Sequence, residues 1–232
     1  MKKILTVLCF TCLIQTSFAE IVEVYRWEAY PGRQADMLAT MQQAAEIHTA
    51  LGAKIQINAL DIGSTQNLDY VMRYDDLASW GESRDKNTDS AEWTAFYANV
   101  ASNPAGKLVA SFSAANSDAE MMADDFDVQP VFGVSVWDPR PGGGEALTQG
   151  LEVARGMHER MGARVEIYTD LYGGTDKMHY VMFFDSWAHH AEVFEAMESD
   201  EAWLQFIATN SANPEPVADL VDRFAGRVLA NF

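Results

Sequence analysis

The chain repeats itself at a separation of 110 residues, and that duplication limits the fold to two copies of one small unit. With Val24-Tyr25-Arg26-Trp27 set against Val134-Ser135-Val136-Trp137, identities recur at Pro31/Pro141, Gly32/Gly142, His48/His158, Gly52/Gly162, Gly63/Gly173, Tyr70-Val71-Met72/Tyr180-Val181-Met182, Asp75/Asp185, Trp93/Trp203, Phe96/Phe206 and Asn103-Pro104/Asn213-Pro214. A period this long is a whole domain rather than a solenoid element.

Each copy begins with a β-rich run, Ile21 to Glu28 and Val131 to Asp138, closed by Pro31-Gly32 and by Pro141 with Gly142-Gly143-Gly144. A helix follows, because Met37, Met41, Ala44, His48 and Leu51, mirrored by Leu147, Leu151, Ala154, His158 and Met161, recur in steps of four and three on one face. Gly52 and Gly162 stand where helices end. Two strands come next, Lys54 to Leu60 and Leu68 to Asp75, matched by Arg164 to Asp170 and Met178 to Asp185, with Gly63-Ser64-Thr65 and Gly173-Gly174-Thr175 as turns. Two short helices per copy follow, the second predicted in the first copy to start at an Asp89/Glu92 capping box. The last strand, Gly106 to Phe112, aligns best with Gly226 to Phe232, an offset of 120, which predicts a ten-residue insertion forming a short amphipathic helix over Val217 to Asp222.

The order β-α-β-β-α(α)-β is that of a ferredoxin-like unit, an antiparallel sheet with helices on one face. The fold class expected is therefore α+β, two tandem ferredoxin-like units whose sheets pack on each other into a pseudo-dimeric α/β barrel. The expected division is a signal peptide at 1–19, repeat 1 at 20–116, an acidic linker at 117–130 and repeat 2 at 131–232. The linker holds Asp118, Glu120, Asp124, Asp125 and Asp127 but lacks the glycine and terminal glutamate of a calcium-binding EF-hand.

Lys2-Lys3, an apolar run from Ile4 to Ile14 and Ser17-Phe18-Ala19 form a secretory signal with cleavage after Ala19. The apolar run is too short for the ~20 residues of a membrane span. Both cysteines, Cys9 and Cys12, lie within it, so the mature chain has no disulfide and depends on packed apolar surface. With Lys2 and Lys3 removed, 14 basic residues face 34 acidic ones, a formal charge of −20. Nucleic acid and anionic membrane surfaces are repelled at long range and are excluded as partners. The expected location is periplasmic or secreted.

Candidate chemistry centres on His48 and His158, each on the apolar stripe of its helix, where an imidazole serves as a general base or as a ligand to metal or haem. The alternative is a core histidine bonded to a backbone carbonyl. Tyr25, Trp27, Tyr70, Trp137 and Tyr180 lie on strands and are candidates to line a pocket. Arg73, mid-strand where the second copy has Phe183, is a candidate to bind a carboxylate or phenolate; pairing with Glu23 or Glu28, or solvent exposure, is its alternative. His179, His189 and His190 add histidines to the second copy, but with no His-x-x-x-His spacing no metal site is assigned. There is no Gly-x-Ser-x-Gly elbow, no phosphate loop and no cysteine nucleophile in the mature chain.

Trp27 to Gly32, the helix ending His48-Thr-Ala-Leu-Gly-Ala, the Tyr70-Val-Met strand and Ala91-Glu-Trp-Thr-Ala-Phe resemble a NIPSNAP-like unit of the dimeric α/β-barrel superfamily. The second copy repeats the pattern with Trp137 to Gly142, His158-Glu-Arg-Met-Gly-Ala and Glu201-Ala-Trp-Leu-Gln-Phe. The resemblance implies the barrel, and among functions it admits haem-degrading and cofactor-free monooxygenases and polyketide cyclases. It supplies no catalytic motif to carry over. The expectation is an exported protein binding a small, largely apolar or aromatic molecule. No cofactor is required, and haem is an alternative. The rival readings are a monooxygenase or cyclase using a helix histidine, and a structural or interaction module. The chain is expected to form its own pseudo-dimer, and a further homodimer is compatible with it.

Overall fold

A computed structural model describes residues 20–63, 67–126 and 129–232. The signal segment with Cys9 and Cys12, Ser64-Thr65 of the first turn and Asp127 of the linker lie outside the described residues. In chain order the elements are β1 (Ile21–Ala29), α1 (Gln34–Ala50), β2 (Lys54–Ile62), β3 (Asn67–Tyr74), α2 (Leu77–Asp89), α3 (Ala91–Ser102) and β4 (Gly106–Asn116). After a 3-10 turn at Ala123–Phe126 come β5 (Val131–Pro139), α4 (Gly144–Arg160), β6 (Arg164–Tyr172), β7 (Met178–Phe184), α5 (Trp187–Ser199), α6 (Glu201–Ser211) and β8 (Ala218–Asn231).

The eight strands close into one antiparallel barrel in the order β1-β3-β2-β8-β5-β7-β6-β4. Each half contributes a ferredoxin-like sheet, β4-β1-β3-β2 and β8-β5-β7-β6. The halves join where β2 pairs β8, with Gln56 opposite Asn231, and where β4 pairs β6, with Asn116 opposite Tyr168. Alternation along each strand then sorts residues between two environments. On β1, Val22, Val24 and Arg26 point into the barrel, whereas Ile21, Tyr25 and Trp27 face the helices. Two core layers flank the barrel, one under α1 and one under α4, and a third cluster fills its interior.

Local signals explain the helix limits. Gly52 and Gly162 take φ of +103° and +105°, which L side chains resist, just past the ends of α1 and α4. The cap of α3 differs from expectation: Ser90, not Asp89, accepts the Trp93 N–H at 3.1 Å, while in the second half Asp200 accepts that of Trp203 at 2.7 Å.

The segment Val217 to Asp222 is not a helix. Residues 218–222 are the start of β8, laddered to β5 with Trp137 opposite Leu220 and Pro139 opposite Ala218. In the first half Ala29 lies opposite Gly106, so the true offset is 112 and the insertion is two residues, between Pro214 and Ala218. Gly106 and Gly226 misled the alignment because both are required for close approach, at unrelated places. A Cβ on Gly106 would strike the Glu28 carbonyl, and one on Gly226 the Ala59 carbonyl at the β2–β8 seam.

Candidate functional sites

Each half holds a cavity between its helices and the outer face of its sheet, about 390 Å³ in the first and about 350 Å³ in the second. Their floors are set by strand register. Tyr25 lies opposite Tyr70 on β1 and β3, and Ser135 opposite Tyr180 on β5 and β7. A bulge between Arg26 and Trp27, repeated between Val136 and Trp137, interrupts the ladder beside each indole. The roofs come from α1 with α3, and from α4 with α6.

Three of the paired identities meet in each cavity. His48 Nδ1 lies 2.8 Å from the Tyr70 hydroxyl, and the Trp93 ring covers the imidazole at a centroid distance of 4.3 Å. In the second half His158 Nδ1 lies 2.7 Å from the Tyr180 hydroxyl and Trp203 covers it at 4.4 Å. Trp93 stacks on Phe96, and Trp203 on Phe206. The histidines therefore bond to tyrosine, not to a backbone carbonyl. Burial lowers both imidazoles from 6.5 to about 4, with the Arg84 charge adding to the effect at His48, so both rings are neutral at neutral pH. Burial also raises the Tyr70 and Tyr180 hydroxyls, which stay protonated as hydrogen-bonding groups.

Of the residues expected to line a pocket, Tyr25, Trp27 and Tyr70 line the first cavity with His48, and Trp137 and Tyr180 line the second with His158. Arg73 lines neither. It points into the barrel, where it donates to Glu20 at 2.6 Å and to the Tyr168 hydroxyl at 3.2 Å, because its strand position shares the interior face with Asp69 and Val71. Its partner is thus Glu20 rather than Glu23 or Glu28. Lys107 pairs Glu28 instead. The additional histidines scatter: His179 bonds Asp170 inside the barrel at 2.8 Å, His189 accepts the Asp185 N–H, and His190 stacks on Phe194. Among the described residues no three His, Cys, Asp or Glu side chains converge as metal ligands.

Sequence reasoning missed the polar groups that make the cavities differ. In the first, Glu23 accepts Trp80 Nε1–H at 2.6 Å, the Tyr25 hydroxyl at 2.9 Å and Arg84 Nη1 at 3.3 Å. Burial and this carboxylate raise the Tyr25 hydroxyl to about 12, and Tyr25 and Arg84, both bonded to Glu23, line the cavity. At the corresponding positions the second half has Gly133, Ser135 and Phe194, so the network has no counterpart. Its cation is Arg223, from β8, whose Nε donates to Ser135 Oγ at 3.2 Å. The mistaken offset of 120 hid Arg223, since it set this residue within an imagined insertion.

Residues 22–109 match the NIPSNAP family model. The match falls within the first repeat. No curated protein matches the chain in sequence. Among solved structures it resembles a provisional monooxygenase of Fusobacterium nucleatum subsp. nucleatum, with a TM-score of 0.62 at 12% identity over 92% of this chain and 94% of that one. It also resembles an anthrone oxidase-like protein, with a TM-score of 0.59 at 10% identity over 94% of each chain. A haem-binding protein of Thermus thermophilus aligns with a TM-score of 0.51 at 11% identity over 92% of each chain. At these identities the likeness is one of fold, a closed eight-stranded antiparallel barrel built from two halves of one chain.

Proposed function

We propose that this NIPSNAP-containing chain is an exported protein that binds a small, largely apolar or aromatic molecule in the cavities between helices and sheet. The observation that carries this reading is the cavity pair itself. Both volumes fall within the ~300–1,000 Å³ of small-molecule sites, and both are walled by aromatic and aliphatic side chains with a few convergent polar groups. Export rests on the Lys2-Lys3, Ile4 to Ile14 and Ser17-Phe18-Ala19 pattern. Cleavage after Ala19 would make Glu20 the first residue, a side chain that is fully buried and bonded to Arg73, Tyr168 and Asn116.

Haem is poorly accommodated. His158 Nε2 is the right kind of iron ligand, and Tyr180 would fix the other ring nitrogen. However, the cavity lies near the lower limit for drug-sized ligands, and Trp203 covers the imidazole, so a tetrapyrrole plate would require α6 to move. General-base catalysis by His48 or His158 is also less well supported than binding, because an imidazole at about 4 is far below the pH at which it would act.

Native mass spectrometry on protein purified from its own cells without refolding tests the reading. The expected result is a mass above that of the mature chain by one or two small organic molecules, lost when Ala44→Phe and Ala154→Phe fill the cavities. A bare mass, together with no uptake of 2-naphthol by the purified protein, would overturn it.

A further inference from the structure

The two cavities differ in charge, and the difference selects a ligand class. In the first, Arg84 spends its charge on buried Glu23, and the Asn87 side chain stands close enough to the His48 ring to favour its protonation. In the second, Met197 replaces Asn87, and His158 Nε2 is buried with no hydrogen-bond partner among the described residues. His158 is 3% exposed and lines the cavity. Its Nδ1 is engaged by Tyr180, so with the hydroxyl donating to Nδ1 the proton resides on Nε2 and is available for a ligand oxygen. Arg223 also lines this cavity, bonded through Nε to Ser135 Oγ, and forms no ion pair among the described residues. The nearest carboxylate in sequence, Asp222, instead accepts the backbone N–H of Arg223 at 2.8 Å and lends its charge to Arg26. Asn210, Ser211 and Asn213 complete a polar rim where the first half has Val100, Ala101 and Asn103.

Resting on the binding reading above, we infer that the second cavity takes an aromatic or aliphatic acid, a carboxylate or phenolate, with its apolar body among Trp137, Leu151, Phe206 and Met182 and its anionic oxygen met by Arg223 and by His158 Nε2. The first cavity, whose cation is already neutralised, takes a neutral molecule or none. Long-range electrostatics oppose this choice, since a formal charge of −18 repels anions. A preference for an acid must therefore arise from local contacts. A guanidinium supplies them, with paired donors matched to a carboxylate.

Titration of the full chain with 2-naphthoate and with neutral 2-naphthamide, followed by tryptophan fluorescence and by calorimetry for stoichiometry, tests the inference. We expect naphthoate to bind one site per chain at least tenfold more tightly than the amide. Arg223→Gln should remove that preference, and Arg223→Lys should restore part of it. Because Arg223 is exposed, neither variant should disturb the fold, and matching thermal transitions check this. Equal affinities for the two probes would overturn the acid assignment, and a naphthoate preference that survives Arg223→Gln would overturn recognition by Arg223; either leaves the cavity as a binding site. Binding of neither probe would overturn the binding reading with it.

Discussion

At the scale of single residues, the duplicated His–Tyr–Trp cluster is the feature to disturb. Tyr180→Phe removes the hydroxyl from His158 Nδ1 and leaves a buried imidazole with neither nitrogen bonded, which should cost about 1–3 kcal/mol in urea unfolding. Tyr70→Phe should cost a similar amount, and the two should add, because the sites share no partner. The same histidines set a pH dependence. Their folded values of about 4 lie below the unfolded 6.5, so between pH 6.5 and 4 the unfolded chain binds protons that the folded chain refuses. Stability from this source is fully present above pH 6.5 and is lost as pH falls towards 4, by at most about 1.4 kcal/mol per pH unit for each histidine. Urea midpoints measured across that range should fall more steeply for the native chain than for His158→Phe.

At the scale of elements, the repeat specifies helix ends and strand register more firmly than helix caps. The caps of α3 and α6 differ in residue, Ser90 and Asp200, yet each places one side-chain oxygen on the N–H of the tryptophan that covers the histidine. Capping therefore bears on the site. Asp200→Ala should cost about 1 kcal/mol of stability. It should also loosen Trp203, seen as a red-shifted emission, whereas Asp200→Asn should largely preserve both. The segment 217–222 shows why local pattern misjudged this region. Val217, Leu220 and Val221 have helical spacing, but residues 218–222 as strand supply partners for the β5 backbone, which a helix there would leave as an unpaired edge.

At the scale of the molecule, closure of the barrel is what joins the halves, and a buried polar cluster spans the joint. Arg73 of the first half donates to Glu20 and to Tyr168 of the second, whose hydroxyl donates to Glu20 at 2.9 Å, and Asn116 bridges Glu20 and Glu166. Side-chain exposure is 7% for Arg73 and 0% for Glu20, so removing one charge strands the other. Arg73→Met should therefore destabilise the protein by about 3–5 kcal/mol in equilibrium unfolding, much more than Arg227→Met at the exposed pair with Asp61. A loss below 1 kcal/mol would show that the cluster contributes little to the joint.

The sequence alone determined that this is two copies of a β-α-β-β-α-α-β unit, because the 110-residue identity pattern and the 2.0 and 3.6 periodicities are properties of neighbouring residues. It also held the site in plain view: His48/His158, Tyr70/Tyr180 and Trp93/Trp203 are all paired identities. Their meeting was not legible, since 22 residues separate the bonded histidine and tyrosine and only packing of α1 and α4 on the sheets brings them within 2.8 Å. Tertiary structure alone decided which face of each strand met water, barrel interior or cavity. Arg73 was thereby turned inward against Glu20, and Arg223 was left at a cavity mouth. The physical reason is that a strand's two faces are equivalent until its sheet acquires covering layers, and which layer covers which face is settled by closure of the barrel, not by the strand's own residues.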